Sequence, residues 1–175
     1  MNKQINKFNK NSQERLTEIK LKQMSINDAG AYFKLINDNR DYFANFNNLP
    51  INKYINLEEV EKTLLKNNDK IIFGIYLEKK LIGTINITPL TRPTRIKIAL
   101  IGYLIAKKYA GKGNGTKALL QLDKLIAKKY DRFMATTHPN NIASQRVLEK
   151  AGFEKVGVDT QSVDQDYVFE KRLNI

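Results

Sequence analysis

The sequence contains no cysteine and only one histidine, His138. The absence of cysteine excludes a disulfide framework, a thiol nucleophile and a thiolate metal site. A single histidine excludes a multi-histidine metal site. We therefore expect no bound metal and a cytoplasmic setting.

Long apolar stretches are also absent. No run approaches the ~20 apolar residues that a membrane-spanning helix requires. The polar start, MNKQINKFNKNSQ, lacks the apolar core of a signal peptide. The 175 residues, 42% of them hydrophobic, suit one globular domain. We expect a flexible segment over residues 1–13 and a single domain over residues 14–175.

Negative charge is scarce, because 18 acidic residues face 30 lysines and arginines, for a net charge of +12. Such an excess can attract nucleic acid. The lysines are scattered along the chain, however, and no nucleic-acid-binding motif accompanies them. A nucleic-acid partner is therefore not expected. The basic surface would suit a phosphorylated cofactor, or work near the ribosome.

The most informative stretch is a glycine-rich segment, Ile101 to Leu120, which reads IGYLIAKKYAGKGNGTKALL. An apolar run predicts a strand, three glycines follow at alternate positions, and a helix-forming run begins at Thr116. Glycine lets backbone N–H groups converge without a Cβ in the way, and the helix N-terminus adds positive potential. The segment therefore predicts a site for phosphate or pyrophosphate.

Two common phosphate motifs do not fit this segment. A P-loop needs Ser or Thr after its Gly-Lys pair, but Gly111-Lys112 is followed by Gly113. The dinucleotide fingerprint needs a glycine where Thr116 stands. On glycine spacing alone, a flexible surface turn is the alternative interpretation.

Two motifs together carry a resemblance to a family. Residues 109–116, with Gly102-Tyr103 upstream, resemble motif A of the GNAT N-acetyltransferases, Gln/Arg-x-x-Gly-x-Gly/Ala, with Ala110 as a mismatch at its first position. Residues 141–153, NIASQRVLEKAGF, resemble the second signature, Asn-x-x-Ser followed by a helix that ends in Gly-Phe. The resemblance covers roughly residue 16 to the C-terminus. It is closest to the subgroup that includes the ribosomal-protein N-terminal acetyltransferases.

Periodicity and turn residues predict the order of the elements. Strands are expected over residues 15–24, 70–78, 81–89, 95–106, 132–137, 153–158 and 166–173, and helices from residue 25 and over 57–66, 116–129 and 141–151. Leu65 and Leu125 are among the residues expected to be buried. The order indicates an α/β (α+β) chain. The resemblance implies the GNAT fold, a mixed and mostly antiparallel central sheet of about seven strands with about four flanking helices.

The resemblance also implies the site. Acetyl-CoA would be the cosubstrate, with its pantetheine arm near Asn141 and its sulfur near Ser144, the candidate catalytic donor to the departing thiolate. From the residues alone, Asn141 could equally be a helix cap and Ser144 a small packing residue. The other implied cofactor-binding residues hold the pantetheine arm and the pyrophosphate: Tyr103, Leu104, Ile105, Ala110, Gly111, Lys112, Gly113, Asn114, Gly115 and Thr116.

The general base is not identified by the sequence. Several family members carry a Glu where this chain has Leu100, and many use a Tyr acid where it has Leu148. His138 has a suitable intrinsic pKa, but an isolated histidine near a loop is more often polar surface. A water chain, a carboxylate from residues 38–41 or 58–61, or an acceptor with a low-pKa amine stay open.

These features predict an acetyl-CoA-dependent N-acetyltransferase in which a primary amine attacks directly in a ternary complex. The leading acceptor is the N-terminal α-amine of a protein or peptide. One alternative is a small amine, such as an aminoglycoside or polyamine, which would favour an acidic cleft. Another is a non-catalytic CoA-binding module, suggested by Leu100 and Leu148. No membrane partner is expected, and either a monomer or a homodimer is compatible with the sequence.

Overall fold

The computed structural model describes residues 18–45, 52–65, 70–91 and 95–173. The predicted flexible segment lies outside these ranges. Within them, no helix is long and apolar enough to cross a membrane. The described elements, in chain order, are β1 (Ile19–Gln23), α1 (Ala29–Asn37), α2 (Arg40–Ala44), α3 (Leu57–Leu65), β2 (Ile71–Leu77), β3 (Lys80–Leu90), β4 (Ile98–Ile105), α4 (Asn114–Ile126), β5 (Arg132–Thr137), α5 (Ile142–Lys150), β6 (Glu154–Val158) and β7 (Tyr167–Arg172).

The strands form one sheet in the order β1-β2-β3-β4-β5-β7-β6. Among the described strands, β4 and β5 are the one parallel pair, and the others pair antiparallel. This confirms the predicted α/β fold with its mixed, mostly antiparallel sheet. The five-residue helix α2 is an addition to the four helices expected from the sequence.

The parallel pairing of β4 with β5 is short and leaves the rest of one edge of β4 without a strand partner. Ile98 to Leu100 of β4 pair with Arg132 to Met134 of β5. Beyond Leu100 the two strands separate, and from Ile101 to Ile105 no described strand pairs with β4 on that side. Backbone N–H and C=O groups along this edge are therefore left for another partner.

Two hydrophobic clusters bury the two faces of the sheet. One, with α4 and α5, contains Leu122, Phe133 and Leu148, and Tyr103 packs against it. The other, with α1, α2 and α3, contains Leu104. Consecutive β4 side chains thus point into opposite clusters, as the period of two requires. The apolar run in β4 follows from this burial on both faces.

Hydrogen bonds mark the predicted helix starts near residues 25 and 57, and the backbone conformation marks the end of α5. Ser25 N donates to Asp28 Oδ2 at 2.9 Å, as a capping box requires. Asn56 Oδ1 accepts from Glu59 N at 3.0 Å and caps α3. Gly152 follows α5 with φ +86°, the left-handed conformation that closes a helix.

Two predicted core residues are exposed instead. Leu65 is 65% exposed and is the last residue of α3, where no further helical turn covers it. Leu125 is 51% exposed, because the buried stripe of α4 runs through Leu122 and Ile126 and leaves Leu125 at its edge. Both predictions were wrong because periodicity locates a stripe but not its width.

Gly83 offers a test of how closely β3 and β4 approach. A Cβ at Gly83 would lie 2.2 Å from the Leu104 carbonyl oxygen. We expect Gly83→Ala to lower the free energy of unfolding by about 1–3 kcal/mol, because the two strands must move apart. In α1, a Cβ at Gly30 would meet no atom within 4 Å. Gly30→Ala should therefore raise the free energy of unfolding by about 0.5–1 kcal/mol, since alanine favours the helical conformation more than glycine does.

Urea unfolding of the wild type and both variants measures these changes. A Gly83→Ala protein as stable as the wild type would contradict the close approach of β3 and β4.

Candidate functional site

A cleft of about 530 Å³ opens where β4 and β5 separate. Its walls are the end of β4, the glycine loop, the start of α5 and two side chains of α2, Tyr42 and Phe43. The exposed Lys112 is outside the lining. The other predicted site residues all line the cleft: Tyr103, Leu104, Ile105, Ala110, Gly111, Gly113, Asn114, Gly115, Thr116, Asn141 and Ser144.

The glycines of the loop serve two different needs. Gly111 and Gly113 have φ values of +71° and +77°, a conformation that side chains rarely adopt. Gly113 is also the residue from which α4 begins. Gly115 has a steric role instead, because a Cβ there would lie 3.1 Å from Val147 Cγ1 on α5. The loop conformation and the close packing of α4 on α5 both require glycine.

Asn141 begins α5 as its cap. Its Oδ1 accepts a hydrogen bond from Ser144 N at 3.1 Å. The interpretation of Asn141 as a helix cap is therefore confirmed. Asn141 is at the same time one of the residues that line the cleft, so the cap also positions α5 at the cleft wall.

A pair of hydroxyl groups lies near the N-terminal end of α5. Tyr103 Oη is 2.9 Å from Ser144 Oγ and 3.3 Å from the Ser144 carbonyl oxygen. Burial, partly offset by the bond to Ser144, raises the pKa of Tyr103 to about 12. The phenol is therefore protonated at physiological pH. Ser144 is a hydrogen-bonded polar group and not merely a small packing residue.

Sequence reasoning missed this hydroxyl, because it used only the backbone of Tyr103. The alternation of side chains in a strand could have predicted it, because consecutive residues such as Tyr103 and Leu104 point to opposite faces of the sheet. Sequence reasoning also missed Tyr42 and Phe43 as residues of the cleft wall. Phe43 is 2% exposed yet still lines the cleft, so it belongs to both the core and the cleft wall.

The charges at the cleft are positive. Arg146 and Lys150, one turn apart on α5, both line it and are exposed. No acidic residue is among the described residues of the lining. Three of the carboxylates predicted as candidate bases have other partners: Asp38 pairs with Lys34 at 2.9 Å, Glu58 pairs with Lys62 at 2.5 Å, and Glu59 Oε2 accepts from Ile55 N at 2.9 Å.

The other candidates for acid–base chemistry also lie apart from the cleft. His138 Nδ1 accepts from Asn140 N at 3.0 Å, and His138 is not among the lining residues. Leu148 is fully buried in the core. No carboxylate or imidazole is therefore found in the described lining of the cleft. The titratable or hydrogen-bonding side chains there are those of Tyr42, Tyr103, Tyr109, Asn114, Thr116, Asn141, Ser144, Arg146 and Lys150.

The cleft fits a long, anionic ligand. An unpaired strand edge offers backbone hydrogen bonds to an extended arm. The glycine loop and the N-terminus of the 13-residue helix α4 offer donors to phosphate groups. Arg146 and Lys150 add positive charge. A mixed seven-stranded sheet with a splayed parallel pair beside such a loop defines an acyl-CoA-dependent transferase of the kind that the two motifs resemble.

Comparison with known proteins agrees with this class. The family model described as "Acetyltransferase (GNAT) domain" matches residues 18–154. The chain therefore belongs to the GNAT acetyltransferase family, and acetyl-CoA is its cosubstrate. This confirms the family, the enzyme class and the cosubstrate expected from the sequence.

Individual relatives have different acceptors. The probable N-acetyltransferase YjcK of Bacillus subtilis (strain 168) is 32% identical over 162 residues, which cover 87% of this chain and 89% of the relative. The ribosomal-protein-S5-alanine acetyltransferase from Vibrio fischeri is 23% identical, with a TM-score of 0.76 over 89% of this chain and 93% of that one. The aminoglycoside acetyltransferase AAC(6')-Ib, solved with coenzyme A, is 21% identical, with a TM-score of 0.72 over 89% and 95%. They share the fold and leave the acceptor class open.

The raised pKa of Tyr103 has a measurable consequence. The phenol ionises near pH 12 in the folded protein, against about 10 in the unfolded chain. The stability it contributes is fully present below pH 10 and is lost as the pH rises from 10 to 12. Relative to Tyr103→Phe, we expect the wild-type free energy of unfolding to fall by about 1.4 kcal/mol per pH unit in that window.

Urea unfolding of the two proteins at about pH 8, 9, 10 and 11 measures this difference. A difference that stays constant across the series would show that Tyr103 ionises normally.

Proposed function

We propose that this enzyme acetylates the N-terminal α-amine of a protein or peptide. The observation that carries the proposal is the charge of the cleft, which has Arg146 and Lys150 and no acidic residue among its described lining. An aminoglycoside or polyamine carries several positive charges and would need carboxylates to hold it. A peptide N-terminus brings a single amine and a polar backbone.

The intrinsic pKa of the acceptor supports the same choice. Attack requires a neutral amine. At pH 7.4, about a fifth to a third of α-amines with pKa 7.7–8.0 are neutral, against about 0.1% of lysine side chains with pKa 10.4. Because the described lining of the cleft holds no carboxylate or imidazole, an acceptor that is already partly neutral suits it best.

The proposed cofactor-binding groups are mostly backbone. Tyr103, Leu104 and Ile105 present the unpaired edge of β4 to the pantetheine arm. The loop over residues 111–116 presents its N–H groups to the pyrophosphate. Acetyl-CoA supplies, when bound, an acetyl group activated as a thioester. Arg146 and Lys150 add charge that favours a phosphorylated ligand.

Ser144 is the proposed donor to the departing thiolate. When the Tyr103 phenol donates to Ser144 Oγ, the serine proton is free to point into the cleft. In the transfer, a C–N bond forms between the amine and the acetyl carbon and the C–S bond breaks. The amine proton leaves to solvent. Ser144 then stabilises the negative sulfur by a charge-assisted hydrogen bond.

The place of the cofactor is tested by a calorimetric titration of acetyl-CoA. We expect Gly113→Glu to weaken binding about tenfold or more, because its carboxylate repels the pyrophosphate and its side chain strains the loop. Gly157→Glu is the matched control, since Gly157 lies on the edge strand β6 and its Cβ would meet no atom within 4 Å. Equal binding of acetyl-CoA by both variants would show that the pyrophosphate does not bind at the loop.

The acceptor is tested by measuring CoA release with peptides, an aminoglycoside and a polyamine. With a peptide, kcat/KM should rise with pH and level off at the pKa of that peptide's own α-amine, near 8, because the enzyme does not supply the base. Two peptides whose α-amine pKa values differ should level off at different pH values.

A common plateau near pH 6 for both peptides would reveal a side-chain base and contradict this part of the proposal. Preference for the polyamine or aminoglycoside would favour a small-amine acceptor. Acetyl-CoA binding without CoA release for any acceptor would indicate a CoA-binding regulatory module.

A further inference from the structure

Asn39 lies between α1 and α2 and makes two hydrogen bonds to separate parts of the chain. It is the N-cap residue of α2, but its side chain does not cap that helix. Its Nδ2 donates to the Leu35 carbonyl oxygen at 2.9 Å, near the end of α1. Its Oδ1 accepts from Lys107 N at 2.9 Å, 68 residues further along the chain. An asparagine that could have capped its own helix instead joins α1 to the segment after β4.

The Lys107 end of this link is the entrance to the glycine loop. Lys107–Tyr109 form a single turn directly after β4, and the loop follows. The exit of the loop is held as well, because Asn114 Nδ2 donates to the Tyr109 carbonyl oxygen at 3.0 Å. Asn114 is 7% exposed and begins α4. The proposed pyrophosphate loop is therefore fixed at one end by Asn39 and at the other by Asn114.

Arg40, the next residue, holds a second segment. Its Nη1 donates to the Lys53 carbonyl oxygen at 3.0 Å and its Nη2 to the Tyr54 carbonyl oxygen at 2.8 Å. Tyr54 is 3% exposed and has φ +59°, a left-handed conformation that is strained for an aromatic residue. The planar guanidinium donates to two neighbouring carbonyl groups through two separate nitrogen atoms in a fixed fork, whereas a lysine offers a single nitrogen without that geometry.

Helix α2 lies between these two anchors. It begins at Arg40 and contributes Tyr42 and Phe43 to the wall of the cleft. Asn39 and Arg40 themselves are not in the lining. A five-residue helix has little stability of its own, so its position depends on tertiary contacts such as these.

We propose that Asn39 and Arg40 form a clasp that couples the glycine loop to the wall of the cleft that contains Tyr42 and Phe43. In this clasp, Asn39 connects the loop to α1 and α2, and Arg40 connects α2 to the turn at Lys53-Tyr54. Ordering of the loop by acetyl-CoA is then transmitted to α2 and to residues 52–56, which lie outside the cleft. Both are positioning residues. The inference rests on the proposed function only in taking acetyl-CoA as the ligand of the loop.

Amide hydrogen exchange, with and without acetyl-CoA, tests the clasp without knowledge of the acceptor. In the wild type, acetyl-CoA should slow exchange over residues 107–116 and also over residues 52–56. In Asn39→Ala, the loop should still be protected, but protection of 52–56 should be lost and acetyl-CoA should bind roughly 5-fold more weakly, as the loss of one hydrogen bond implies. Asn37→Ala, an exposed asparagine at the end of α1, is the matched control and should behave as the wild type.

Arg40→Lys separates the two halves of the clasp. It keeps the positive charge but loses the two-carbonyl fork, so protection of 52–56 should be lost while the Kd for acetyl-CoA stays within about 2-fold of the wild type, since the link from Asn39 to the loop remains. A purely structural role would lower the melting temperature of these variants and leave the protection caused by acetyl-CoA unchanged.

The outcomes distinguish this inference from the proposed function. A wild type that binds acetyl-CoA but shows no protection over 52–56 overturns the clasp alone. Retained protection of residues 52–56 in Asn39→Ala or in Arg40→Lys also overturns the clasp alone. If Asn39→Ala does not fold, Arg40→Lys still tests the clasp. A wild type that does not bind acetyl-CoA overturns the clasp and the proposed function together.

Discussion

The separation of β4 from β5 is the constraint on which the rest of the structure depends. Pairing stops at Leu100, and the edge of β4 that follows lies inside the protein, between two hydrophobic clusters. Unpaired backbone groups in such a place require hydrogen-bonding partners. The start of α5 and the glycine loop surround this edge and leave the cleft open between them. The cleft therefore forms because the pairing of β4 with β5 stops, and not because neighbouring elements pack loosely.

The neighbouring elements are close enough to keep this interruption rigid. Gly83 lets β3 approach β4 more closely than any side chain would permit, and Gly115 lets α4 approach α5. On the other side, Leu104 and Phe43 belong to one buried cluster with α1 and α3. Because β4 is held on both faces and along its other edge, its free edge keeps one conformation. A preformed edge loses little entropy when a ligand binds to it.

The sequence allowed much of this to be predicted, because several signals are local. Alternating apolar residues identified the strands, the Ser25 and Asn56 caps identified helix starts, and the two motifs identified the family. Other features depend on contacts between distant residues. The bond from Asn39 to Lys107 spans 68 positions, and no local pattern contains it. The short helix α2 was missed for the same reason, since it owes its place to tertiary contacts.

Cofactor binding and acceptor binding rest on different kinds of groups in this proposal. The cofactor contacts are backbone groups of β4 and the loop, which depend on conformation more than on side-chain identity. The acceptor would instead meet side chains of the cleft, and Tyr42 and Phe43 on α2 are among them. A cosubstrate held by backbone groups does not depend on the identity of the α2 side chains, and in this proposal the clasp formed by Asn39 and Arg40 connects the wall that contains Tyr42 and Phe43 to the loop.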